Sequence, residues 1–392
     1  MVPGYTLRVY PLLSLQGAKI NLEDALAAAA VLTAAPLIVR AVYQGRRELL
    51  WVGAFVAYMA VPFVAGLRDP GGTFLAVREL RPLSFYLLAL AYTCAGFRGN
   101  DFRRLAGVYV FFTCVAAVAV FLQLSGVIEL PGNRPVAPFV ARYLEWSVPV
   151  VAFTVALGGA LADETPVARL AWAAALPVLI WYIIAMQERT AEGLALGLSV
   201  LVLTFVPSGG AVALRAALLA VVLTAVYGYG AGVLPGPSWI VAPIKQMMGH
   251  WSRAATDGSM LQRISEFQSG IPRFLHDPLF GVGLGGVTAT APPDNGPGGP
   301  WRYMSTGYGF LLVKTGVVGL ALYTWIVVMP LVTGFQRLRE IAGSRPWPRF
   351  KIAVTGLTAL AVLNVLHPAV VTEEGAILFS FFFGMIMSRP RT

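Results

Sequence analysis

Apolar residues run along this chain in unbroken stretches of roughly 17 to 25, the length that crosses ~30 Å of hydrocarbon. Short basic or Gly- and Pro-marked connections separate them. Read in order, the stretches predict eleven spanning helices at 22–39, 49–67, 82–97, 105–124, 143–161, 167–186, 191–206, 211–230, 305–330, 351–369 and 374–388. The seventh and the last are short, and residues 5–20 leave room for a twelfth, partial element. Most connections resemble "RAVYQGRRE" or "FRGNDFRR", but residues 231–304 form one long segment rich in Gly, Pro and polar residues. The expected fold is therefore an all-α polytopic membrane protein with about 11–12 transmembrane helices. Along the chain it divides into an N-terminal bundle of about eight spans (1–230), the long loop (231–304) and a C-terminal bundle of about three spans (305–392).

Charge decides which way the bundle faces. Only 12% of the 392 residues are charged, about half the share in an ordinary globular domain. The net charge of +10 comes from Lys and Arg placed between spans, without a basic run interleaved with aromatics, so nucleic acid is not an expected partner. In an eleven-span layout, the short connections and the C-terminal tail put fifteen Lys and Arg on one face and eight on the other, the long loop left aside. The richer face is expected to be cytoplasmic, together with the C-terminus, which makes the long loop and Arg189 extracytoplasmic. The N-terminal stretch lacks a cleavable-signal pattern, so insertion is expected to rely on the first spans. Cys94 and Cys114 fall inside apolar runs without CxxC spacing, and His250, His276 and His367 have no ligand spacing. No metal and no cofactor is expected.

Inside the long loop, "TDGSMLQRISEFQSGIPRFL" (256–275) carries a helix start, with Ser259 and Gln262 as a capping box and Thr256 or Asp257 as alternative caps. Met260, Leu261, Ile264 and Phe267 then form an amphipathic stripe, Arg263 and Glu266 are spaced to pair, and Pro272 is expected to end or restart the helix. The stretch "FLHDPLFGVGLGGV" that follows holds Gly281, Gly283 and Gly286 in G-x-G-x-x-G spacing. A dinucleotide site needs a strand before those glycines and a helix after them. Here a helix precedes and "VTATAPPDNGPGGP" follows, on a face where nicotinamide cofactors are not available. Tight turns and close packing against helices or headgroups explain the glycines better.

Taken with "QERTAEGLALGL" before the seventh span and "MSTGYGFLLVKTGVVGLALYTWIVV" entering the ninth, "DPLFGVGLGG" resembles the O-antigen ligase/polymerase superfamily. These bacterial membrane glycosyltransferases move glycans off undecaprenyl pyrophosphate. The resemblance covers roughly residues 185–325. It implies a GT-C-like fold in the bacterial inner membrane and a lipid-linked glycan donor held by two arginines, here Arg189 and Arg263. Bidentate, permanently charged guanidiniums suit a leaving group that already carries two phosphates. Ser305 stands where the ligase branch has a His, and Lys314 where an acidic residue is usual. Serine does not serve as a base near neutral pH as imidazole does. That favours a polymerase of lipid-linked repeat units over a ligase to lipid A core or protein, with a lipid-linked sugar transporter third. Glu188, Glu192, Asp257, His250, His367, Glu373 and Glu374 remain open as the base. Arg302, Tyr303 and Tyr308 are candidate acceptor-sugar contacts and Lys314 a candidate phosphate contact. The bilayer is the second expected partner, and a chain-length regulator a third.

Overall fold

A computed structural model describes residues 13–15, 18–20, 22–68, 72–95, 99–124, 147–163, 165–185, 258–290, 300–301, 304, 306–340, 347–366 and 371–388. Twelve α-helices account for most of them: α1 Leu22–Tyr43, α2 Arg47–Tyr58, α3 Ala60–Gly66, α4 Gly72–Ser84, α5 Leu88–Ala95, α6 Gly99–Leu124, α7 Ser147–Ala162, α8 Pro166–Ala185, α9 Gly258–His276, α10 Gly307–Glu340, α11 Trp347–Leu366 and α12 Glu373–Met387. Two short antiparallel ladders complete them, β1 Leu13–Leu15 with β2 Ala18–Ile20, and β3 Ala289–Thr290 with β4 Pro300–Trp301. The first ladder occupies part of the stretch where a partial spanning element was expected.

Among the described residues, five helical segments are long and apolar enough to cross a membrane: Asp24–Tyr43, Arg47–Gly66, Arg103–Leu122, Pro166–Ala185 and Gly307–Leu338. They coincide with the spans expected at 22–39, 49–67, 105–124, 167–186 and 305–330. The protein is a helical, membrane-embedded one. Val148–Leu161 and Ile352–Val365 are shorter apolar helices on two further expected spans. The third expected span, 82–97, corresponds to the turn Phe85–Leu87 and α5, which continue directly from α4. Those expected at 191–206 and 211–230 lie outside the described residues. The chain forms two compact units that cut across its sequential division; in described residues, one holds 103–124, 147–163, 165–185 and 347–359, the other the remainder.

In the first unit, α6 has the inside-out pattern of a lipid-facing helix. Leu105, Val108, Phe111, Val115 and Val118 are exposed, whereas the smaller Ala106, Thr113 and Ala117 are buried with Val110 and Val120. Small residues let helices approach closely where water supplies no driving force between them. The α7–α8 hairpin closes on Asp163, which accepts from the Trp172 indole at 3.0 Å and pairs with Arg103 at 3.2 Å. In the second unit, Phe55, Tyr86, Tyr323 and Phe379 make a ring cluster, with Tyr86 and Phe379 centroids 4.9 Å apart. Asn364 Nδ2 donates to the Tyr323 hydroxyl at 2.8 Å, so the polar tips inside this cluster are bonded.

Charged groups gather at the two ends of the second unit. At the start of α1 and α12, Arg81 bonds Asp24 at 2.7 Å and Glu373 at 3.2 Å. At the opposite ends of those helices, Arg46 donates to the Met387 carbonyl at 2.7 Å and Arg337 to the Ile386 carbonyl at 2.6 Å. Two arginines, one from the α1–α2 connection and one from the last turns of α10, thus cap the last carbonyls of α12, where a helix end lacks its own donors. Arg46 is buried and also pairs with Glu48 at 2.7 Å. Replacing Arg46 with Ala is expected to cost about 1–3 kcal/mol by leaving these acceptors unpaired. A lowered thermal midpoint of the detergent-purified protein checks this, and an unchanged one would mean the clamp contributes nothing.

Candidate functional site

The site begins with a fault in a spanning helix. Within α10, Gly316 has φ 69° and ψ −173°, a conformation that breaks the helical ladder and is open essentially to glycine alone. A break at membrane depth frees carbonyls before it and N–H groups after it, and hydrocarbon offers them nothing. The Gly-rich stretch supplies the partners. Val282 N–H donates to the Val313 carbonyl at 2.9 Å and Gly283 N–H to the Lys314 carbonyl at 3.1 Å. On the far side of the break, Val317 N–H donates to the Pro278 carbonyl at 2.8 Å and Val318 N–H to that of Leu279 at 3.4 Å. The Tyr58 hydroxyl, from α2, takes the Thr315 carbonyl at 2.7 Å.

The other side of the stretch is pressed against α3. Leu284 N–H donates to the Pro62 carbonyl at 2.8 Å. Gly283 has φ 89°, and a Cβ there would lie 2.8 Å from both the Gly66 Cα and the Pro62 carbonyl oxygen. The G-x-G-x-x-G spacing is thus backbone packing between two spanning segments. Its flanks agree, since α9 precedes it and the ladder strand β3 follows. Pro272, expected to end or restart the preceding helix, instead sits inside α9, which continues to His276. Its ring lies on the exposed side, where the carbonyl it leaves without a donor can reach solvent.

One ion pair holds this assembly. The Lys314 side chain is fully buried on the first half of α10, and its Nζ lies 3.1 Å from Glu79 Oε1 of α4 and 2.7 Å from the Gly286 carbonyl oxygen. The second oxygen of Glu79 accepts the Gly285 N–H at 2.6 Å. The pair therefore grips residues 285 and 286 by both a donor and an acceptor. Glu79 lies in α4, before the third expected span, and burial pushes its carboxyl above the ordinary value while Lys314 and the Gly285 N–H pull it back. Thr288, just beyond, is also buried.

The expected site residues are distributed unevenly over this frame. Lys314 lies at its centre, its ammonium bonded to Glu79 and to the Gly286 carbonyl. Tyr308 is half-buried nearby; its hydroxyl donates to the Ala361 carbonyl at 3.2 Å and its ring stands 6.0 Å from that of Tyr323. Glu373 is buried in the first turn of α12, where Thr372 caps the helix and Arg81 pairs with the carboxylate. Glu374 is its half-buried neighbour. Arg263 is carried by α9 one turn before the buried Glu266. Arg189, Glu188, Glu192, His250, Asp257, Arg302, Tyr303, Ser305 and His367 lie outside the described residues. No group of three or more His, Cys, Asp or Glu side chains able to hold a metal occurs among the described residues.

Glu79 is the member that sequence reasoning missed. A lysine inside a spanning helix is costly unless paired or hydrated, and "GTFLAVRELRPLS" offers an acidic partner just before a span. Nothing in the linear pattern says that a segment 235 positions away folds against it.

Family models give no match to this chain, and neither do the curated proteins.

Removing one partner of a buried pair strands the other charge, at a cost of about 3–5 kcal/mol, whereas removing both costs less. Lys314→Met is therefore expected to lower stability sharply, and Lys314→Met with Glu79→Gln to lose less than the two single variants combined. Gly316→Ala should cost at least about 2 kcal/mol, because its backbone conformation excludes a side chain. Thermal unfolding and membrane abundance of the four variants provide the check; additive losses at 79 and 314 would contradict the pairing.

Proposed function

We propose that this protein is a membrane glycosyltransferase that polymerises undecaprenyl-pyrophosphate-linked oligosaccharide repeat units into O-antigen or exopolysaccharide. The reaction takes place on the outer face of the bacterial inner membrane. The observation that carries the reading is a juxtaposition. The stretches "DPLFGVGLGG" and "KTGVVGL", recognised separately in the sequence, fold into one hydrogen-bonded unit around Gly316. The helix bearing Arg263 packs on the same half of α10, since a Cβ at Gly270 would stand 3.2 Å from Val313. Two of the three stretches that the resemblance rests on, and the helix bearing Arg263, thus belong to one small region.

In this reading Arg189 and Arg263 hold the two phosphates of the donor. A hydroxyl at the non-reducing end of a second lipid-linked unit attacks the anomeric carbon. The bond from that carbon to the pyrophosphate oxygen breaks, the hydroxyl proton passes to a base, and the lipid pyrophosphate leaves with its charge held by the guanidiniums. The donor arrives activated, so no nucleotide is consumed. Each arginine is worth about 2–4 kcal/mol of transition-state stabilisation, by analogy with an oxyanion-hole donor.

A carrier of lipid-linked sugars is the second reading, and the break in α10 favours it, because discontinuous helices line many transport sites. Against it, the groups freed at Val313, Lys314, Thr315, Val317 and Val318 already have protein partners.

The test uses purified protein with a synthetic undecaprenyl-pyrophosphate-linked repeat unit as sole substrate. A ladder of longer lipid-linked glycans is the expected product. Transfer seen only after a lipid A core or protein acceptor is added would make the enzyme a ligase, and no transfer at all would remove the enzymatic reading. Arg189→Ala and Arg263→Ala should each slow elongation about 100- to 1,000-fold at normal membrane abundance, while Ser305→Ala keeps most activity.

A further inference from the structure

The helix α9 has three sides with different surroundings. Glu266 and Gly270 lie on the side packed towards α10, while the half-buried Ser269 and the exposed His276 share a polar side. Between these sides runs an exposed apolar row, Phe267, Ile271 and Leu275 at four-residue spacing, with Leu275 65% exposed. Such a row on a helix at the edge of a bundle needs an occupant.

The continuation of the row identifies it. After α9, beyond Asp277 and Pro278, the chain presents Leu279 and Phe280, 57% and 47% exposed. Their backbone is tied to the break in α10, where Val317 and Val318 donate to Pro278 and Leu279. Val317 is itself exposed, and it heads the outward stripe of α10 that passes through Trp325, Val328 and Val332. That stripe belongs to a segment long and apolar enough to cross a membrane, so hydrocarbon is what covers it. The apolar row of α9 is thus continued, past the exposed Asp277 and Pro278, by Leu279, Phe280 and Val317 towards a lipid-facing surface that begins where the spanning helix is interrupted.

We infer that the flank of α9 formed by Phe267, Ile271 and Leu275 is inserted into the boundary between lipid headgroups and acyl chains. The helix lies along the bilayer surface rather than standing off it, as amphipathic helices do when their apolar side sinks about 5–10 Å into that boundary. Arg273, exposed in the last turn of α9, is then placed among the phosphates of the headgroups. The inference does not depend on the proposed activity. Where that activity holds, Arg263 rides on a helix at the level at which a lipid-borne pyrophosphate resides.

The test is collision accessibility of single spin labels in the full-length chain, with Cys94 and Cys114 replaced by Ala, in nanodiscs of phosphatidylethanolamine and phosphatidylglycerol. Ile271→Cys and Leu275→Cys probe the apolar flank, Ser269→Cys and His276→Cys the polar one, and Val328→Cys the spanning reference. The ratio of oxygen to nickel-chelate collisions should be several-fold higher at 271 and 275 than at 269 and 276, approaching that at 328. Equal ratios on the two flanks would overturn the inference. So would low collision with both reagents at 271 and 275, which would mean that protein covers the row. A photo-crosslinking benzophenone residue at 271 or 275, with both native cysteines kept, gives a second reading. A mass gain of one phospholipid is expected, while a crosslink to a second copy, or none, refutes the placement.

Discussion

The interrupted hydrogen-bond ladder of α10 is the constraint on which the second unit turns. A spanning helix normally satisfies its own backbone, and each group left open in hydrocarbon costs several kcal/mol. Gly316 opens that ladder, so the interruption survives only because another piece of backbone is inserted into it. The inserted piece must come close on one side to α10 and on the other to α3, which leaves no room for a side chain at Gly283. From these contacts follow the position of α9 before the stretch and of β3 after it.

Electrostatics then holds the inserted piece in register. Lys314 and Glu79 are attached to different helices, and Glu79 holds the Gly285 N–H while Lys314 holds the Gly286 carbonyl, so sliding the stretch by one residue would break both bonds. A buried pair of this kind contributes little net stability compared with a well-packed apolar alternative. Its retention is better understood as choosing one arrangement of the loop over its neighbours. Further charges tie helix ends together, with Arg81 joining α1, α4 and α12 at one end and Arg46 and Arg337 capping α12 at the other.

Arg263 and Lys314 stand differently. In the proposed reaction a permanently charged guanidinium at 263 suits a diphosphate leaving group. Geometry decides for Lys314, because its ammonium is enclosed and bonded to Glu79 and Gly286. A phosphate could reach it only by displacing those groups, which makes positioning the role its surroundings best explain.

Read alone, the chain determined what depends on neighbouring residues. Apolar run length located the five long spanning segments, because crossing a bilayer is a matter of consecutive residues. The capping signals located α9 to within two residues at its start, and the flanks of the glycine stretch excluded a dinucleotide loop. The tertiary structure decided which distant backbone fills the break at Gly316, that Glu79 neutralises Lys314, and that Arg46 and Arg337 meet at one helix end. Those pairings join residues up to 341 positions apart. Their energy depends on geometry created only when the helices pack, and no local pattern of apolar and polar positions carries it.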